Sequence, residues 1–143
     1  MQYRYEIGGV LYWDIADFQA GQDMYEDLHY SNYGGGEGIL VYPGARYGLK
    51  TPVSSWRLEQ IRLGQQDYEL FYMLNNFLLQ TNSERSAVEV AQIFGEHMYS
   101  GTEIKETTNS KQLDDYRIWL LDVLELFESG NSETALQMIN ELN

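Results

Sequence analysis

Cysteine is absent from this 143-residue sequence, which excludes a disulfide scaffold and a thiolate metal site. Basic residues are scarce: nine Lys and Arg stand against 22 Asp and Glu, for a formal net charge of −13. Such an excess repels phosphate backbones and anionic lipid surfaces, so nucleic acid and membrane are both excluded as expected partners. No apolar run reaches the ~20 residues needed to span a bilayer. The opening Met1-Gln2-Tyr3-Arg4-Tyr5-Glu6 lacks the long apolar stretch of a secretory signal. The expectation is either a cytosolic protein or one whose native N terminus has been removed, so localisation stays unassigned. The two histidines, His29 and His97, lie far apart and outside any HExxH spacing, so neither a metal nor any other cofactor is expected.

The sequence is rich in aromatics: 12 Tyr and 3 Trp, crowded into the first half. A flat apolar face with a polar edge suits clefts and interfaces as well as cores. Up to about residue 53 the chain reads as strand and loop. Gly9-Val10-Leu11-Tyr12-Trp13-Asp14-Ile15 is short, apolar and aromatic after a Gly pair, and predicts a buried strand. Ile39-Leu40-Val41-Tyr42 predicts a second, stopped by Pro43-Gly44. The polar and acidic stretch from Asp17 to Gly38 between them is long enough to be functional.

From Ser54 onward the period becomes helical. Ile61, Tyr68, Phe71, Leu74 and Leu78 place one helix over residues 54–80, with Ser54-Ser55 at its start. Thr81-Asn82-Ser83-Glu84 then predicts a stop and a capping box for a helix from Glu84 to about Tyr99. Residues 101–110 read as a polar linker. Leu113, Tyr116, Leu120, Leu124 and Phe127 form a third stripe ended by Gly130-Asn131, and Ser132 is expected to cap a last helix carrying Leu136, Ile139 and Leu142. The fold class is α+β: two or three short strands followed by a mostly helical C-terminal half of about four helices. Two strands make no stable sheet alone, so helices must cover them or further strands must join them. Exposed strand edges of that kind can also pair two copies into a homo-oligomer.

Several blocks follow one another in order: Gly9-Val-Leu-Tyr-Trp13, Tyr25-Glu-Asp27, Gly36-Glu-Gly-Ile-Leu-Val-Tyr-Pro-Gly44, Pro52-Val-Ser-Ser-Trp-Arg-Leu-Glu59 and Arg62-Leu-Gly-Gln-Gln-Asp-Tyr-Glu69. Over roughly residues 5–75 the sequence resembles the C-terminal end of the catalytic domain shared by glycoside hydrolase family 123 and relatives grouped as domain of unknown function 4091. The resemblance implies a (β/α)8-like barrel with Gly9–Ile15 as its final strand and residues 17–38 at the face where barrel active sites are built. Residues 1–80 would then be the end of the barrel domain and residues 81–143 a helical tail packed on it. It also implies a carbohydrate partner, an N-acetylated amino sugar in the characterised relatives. Those relatives work by a substrate-assisted route with a neighbouring Asp-Glu pair on an earlier strand.

No Asp is followed directly by Glu anywhere in this sequence, and Glu26-Asp27 has the reverse order. After Trp13 the family's Trp-Ala-x-Asn pattern is replaced by Trp13-Asp14-Ile15-Ala16. The chain is therefore expected to be a non-catalytic fragment of a glycoside hydrolase-like protein, with no catalytic residue assigned. The alternative is a stand-alone carbohydrate-binding or protein-interaction module. Candidate substrate-binding residues are Trp13, Asp14, Asp17, Tyr25, Glu26 and Asp27. Arg57, Glu59, Arg62 and Asp67 are expected to form a structural ion-pair network, Arg62 reaching Glu59 or Asp67 across helical turns. Gly64, at ~1 kcal/mol against Ala in mid-helix, is expected to permit close approach of a strand.

Overall fold

A computed structural model of the chain describes residues 2–12, 14–16, 21–27, 38–100, 103–105 and 109–143. The chain is mixed α+β and mostly helical. Its strands are pairs of two residues: β1 (Val41–Tyr42) with β2 (Val53–Ser54), and β3 (Tyr99–Ser100) with β4 (Glu103–Ile104), both antiparallel. Four helices follow the order α1 (Trp56–Gln80), α2 (Ala87–Met98), α3 (Ser110–Glu128) and α4 (Ser132–Glu141). Two compact units result, Met1–Gly8 with Gln66–Asn143, and Gly9–Gln65.

The first unit is a helical bundle. Leu74, Leu78, Val90, Phe94, Leu120, Val123, Leu124, Phe127 and Ile139 form one buried cluster, so the helical stripes of the sequence do face a common core. Ile61 and Leu113 depart from their stripes and are exposed. Phe94 is the hub, stacked on Tyr116 at 4.3 Å and meeting Phe71 and Trp119 edge-on. Asp67 meets Arg117 and Phe77 stacks on Phe127, ten residues further along in both helices, so this part of α1 runs parallel to α3. Tyr3 stacks on Phe71 at 5.1 Å and lies edge-on to Tyr68, and the Arg4 side chain packs on Gly95.

The helix boundaries follow from capping chemistry. Ser55 Oγ accepts the Leu58 N–H at 3.1 Å, so α1 begins one residue later, at Trp56. The capping box of α2 is Ser86 with Glu89, not the one expected within Thr81-Asn82-Ser83-Glu84, where the Thr81 hydroxyl donates back to the Phe77 and Leu78 carbonyls of α1. Ser83 Oγ instead closes a turn with the Arg85 backbone, leaving Ser86 to take the cap. At the other end of the chain Arg85 donates to the Ile139 and Leu142 carbonyls, each at 2.6 Å, satisfying the last turn of α4. Gly130 at φ +82° ends α3 as expected, whereas Asn131 rather than Ser132 is the N-cap of α4 and makes no side-chain cap bond. The expected linker over 101–110 contains β4.

In the second unit the buried strand expected over Gly9–Ile15 does not form. Its described residues are irregular, Leu11 is 91 % exposed and Val10 67 %. The physical reason is pairing: a strand buried on both faces needs neighbours on both edges, and among the described residues this segment has a single bridge, Ala16 to Ile39. The second apolar run behaves differently. Ile39 and Leu40 are buried and Val41–Tyr42 pairs with Val53–Ser54. Gly64 is exposed, and a Cβ built on it meets nothing within 4 Å among the described residues, so no strand approaches there.

Candidate functional site

Two short turns in the second unit are clipped together. In the first, Asp23 Oδ1 accepts the Tyr25 N–H at 2.9 Å, while its carbonyl accepts from Glu26 and Asp27. Gln22 Nε2 donates to the Asp27 carbonyl at 2.8 Å, and Met24, 2 % exposed, anchors the turn below. The second turn is a 3-10 helix over Gly44–Tyr47, entered from Pro43 and left through Gly48 at φ +71°. Gly44 is obligatory there: an added Cβ would lie 2.0 Å from the Thr51 carbonyl oxygen and 2.9 Å from Leu49 Cβ.

Tyr25 and Arg46 make the clip. The Tyr25 hydroxyl donates to the Pro43 carbonyl at 2.8 Å, and its ring stacks on Tyr42 at 5.2 Å. Arg46 Nη1 lies 3.2 Å from both Asp23 carboxylate oxygens, Nη2 lies 3.8 Å from Glu26, and the guanidinium sits 4.9 Å from the Tyr25 ring centroid. Tyr47 meets Tyr25 edge-on at 5.5 Å and is itself 63 % exposed. Burial first, and then the neighbouring Tyr47, pushes the Tyr25 phenol above its ordinary range. Gln22, Asp23, Tyr25, Pro43 and Arg46 help line an open cavity of about 460 Å³.

The other expected binding residues are placed less tightly. Asp14 Oδ1 accepts the Ala16 N–H at 3.0 Å, closing a turn before the Ala16–Ile39 bridge. The Tyr12 hydroxyl accepts the Gly38 N–H, and Leu40 and Val41 donate to the Ile15 carbonyl, tying residues 12–16 to 38–41. Trp13 and Asp17 lie outside the described residues. Thus Tyr25, Glu26 and Asp27 share one turn, and no described contact joins Asp14 to them. Sequence reading missed Asp23, Arg46, Tyr42 and Tyr47. The Tyr42-Pro-Gly-Ala-Arg-Tyr47 run was legible as a stop, but no spacing rule connects it to a turn some 20 residues earlier.

The residues expected to be structural divide between two partners. Arg62 Nε donates to Glu59 at 2.8 Å, and this bond first, with one from Ser54, holds the Glu59 carboxyl below its usual range. Asp67 turns instead to Arg117 of α3, in a bidentate pair at 2.6 and 2.8 Å. Arg57 is half-buried on the first turn of α1. Among the described residues no group of three or more His, Asp or Glu is placed to hold a metal ion, and no helix is long and apolar enough to cross a membrane.

Residues 1–74, just over half the chain, match the family model of the glycoside hydrolase 123 catalytic domain. The chain belongs to that family. No curated protein and no solved structure matches it. The match covers the N-terminal half of the chain and takes in both turns of the clip, the apolar run over residues 9–15 and most of α1. Membership makes the chain glycoside hydrolase-like and points to carbohydrate as its ligand class.

Proposed function

We propose that this member of the glycoside hydrolase 123 family supplies the closing, C-terminal part of a barrel domain and contacts carbohydrate without carrying out hydrolysis by itself. The observation that carries the reading is the exposed apolar run: Val10, Leu11, Tyr12 and Ile15 stand in solvent in a chain segment whose composition is that of a buried strand. Further strands beside it would cover these side chains. Residues 1–80 are then the barrel-derived portion, and residues 81–143 a helical tail that packs on the second half of α1. The absence of an Asp-Glu dipeptide leaves no general acid with its orienting partner at a scissile bond. Trp13, Asp14, Asp17, Tyr25, Glu26 and Asp27 would serve binding, with an N-acetylated amino sugar as the expected ligand. The uncovered run and the two-residue strands would also promote self-association.

The test is turnover of p-nitrophenyl N-acetyl-β-galactosaminide. The isolated chain should show none above buffer. Hydrolysis that disappears in Asp14→Asn or Glu26→Gln would overturn the non-catalytic reading. Light scattering that shows only monomer at high concentration would remove the self-association.

A further inference from the structure

The clipped turns have a chemistry of their own. Arg46 presents hydrogen-bond donors beside the acceptors of Asp23 and Glu26, and the Tyr25 ring and the ion pair fix its orientation in advance. Adjacent hydroxyls of a sugar ring each donate and accept, so they match a planar guanidinium and carboxylate standing side by side. Tyr25 itself offers little ring face, because Tyr42 stacks on it and Arg46 lies over it. Among the described residues of the clip, Tyr47, next in sequence to Arg46 and mostly exposed, is the aromatic surface left for a ligand. The turn carrying both residues is tied by its own backbone bonds and by the close approach of Gly44 to Thr51, so little conformational freedom is left to lose on binding. The adjoining cavity of about 460 Å³ falls within the size range of small-molecule sites.

We infer that Tyr47, Arg46 and Asp23 form a subsite for a single uncharged pyranose, the ring resting on Tyr47 and two neighbouring hydroxyls bonded to Arg46 and Asp23. This rests on carbohydrate being the ligand class. Two carboxylates surround one guanidinium, so the subsite carries net negative charge and selects against sugar acids.

The experiment is titration of the isotope-labelled full chain with N-acetylgalactosamine, galactose, glucose and mannose, and with galacturonate, glucuronate and mannuronate, followed by two-dimensional NMR. At least one neutral sugar should shift the Tyr47 and Arg46 resonances. Tyr47→Ala should weaken that sugar about tenfold through loss of ring contact, while Tyr47→Phe keeps it. The matching uronate should bind about fivefold more weakly, and Asp23→Asn should narrow that gap. A uronate that binds more tightly than its neutral sugar would overturn the subsite. So would neutral-sugar binding that survives Tyr47→Ala but is lost in Trp13→Ala, an outcome that leaves carbohydrate binding by the chain intact. No binding of any neutral sugar or uronate would remove both.

Discussion

Leu11 and Ile39 sit in the same compact unit and have similar side chains, yet the structure assigns them very different weights. Leu11 is 91 % exposed and Ile39 is fully buried. Complete burial of such a side chain is worth ~1.5–3 kcal/mol, so the tenth of Leu11 removed from water contributes only ~0.2–0.3 kcal/mol. Truncating Ile39 to Ala leaves a cavity and costs ~2–5 kcal/mol. In a unit of this size each kcal/mol moves the melting temperature by ~4–8 °C. Ile39→Ala should therefore lower it by at least ~8 °C, and Leu11→Ala by ~2 °C or less. The assay is tryptophan fluorescence against temperature in a Trp119→Phe background. The remaining indoles, Trp13 and Trp56, then both belong to residues 9–65, so the signal reports that unit. An equal loss of stability in the two variants would refute the argument, because it would mean that residues 9–15 are buried in the isolated chain.

Four further outcomes follow from the geometry. Gly44→Ala should destabilise the second unit by ~1–3 kcal/mol or more, since the Thr51 backbone must move; chemical denaturation measures it. Phe94→Ala should cost the bundle ~3–5 kcal/mol, read from the loss of helical circular dichroism on heating. A double-mutant cycle on Asp67 and Arg117 should give a coupling of ~1 kcal/mol, above that of a fully exposed pair because the contact is bidentate and partly buried. The Ser86 backbone and hydroxyl bonds hold Glu89 below its usual range, so its contribution is present above the unfolded carboxylate pKa and fades as pH falls through the folded value. Glu89→Gln should therefore lower the melting temperature at pH 7 and converge with the parent chain in acid.

How far the sequence could be read depended on the range of the interaction. The helical stripes were legible because Leu74, Leu78, Leu120, Leu124 and Phe127 recur every three or four residues, and that spacing alone places them on one face. The stop at Pro43-Gly44 was legible for a similar local reason. The cap of α2 was not, because Thr81 with Glu84 and Ser86 with Glu89 both fit the spacing, and only the backbone bonds taken by Thr81 and Ser83 decide between them. Gly9–Ile15 misled for a deeper reason. Composition records what a segment would prefer to be buried against, and it does not say whether that partner lies in the same chain. The clip of Asp23, Tyr25 and Arg46 joins residues 18 and 23 apart through a phenol and a guanidinium, and neither leaves any periodic signal.

The packing of Tyr3 and Arg4 has a consequence for synthesis on the ribosome. These residues leave the ribosome well before Phe71 and Gly95, which they pack against. At ~5–20 residues per second, Arg4 waits roughly 5–20 s for Gly95 to follow the intervening ~90 residues. Over that interval the segment from Gly9 to Gln65 has its whole sequence available and can settle, while the bundle must recruit its first residues last. A nascent chain paused before Tyr68 and Phe71 have left the ribosome is therefore expected to show the clip formed and Tyr3 still open to labelling, a schedule opposite to the order in which the residues are written.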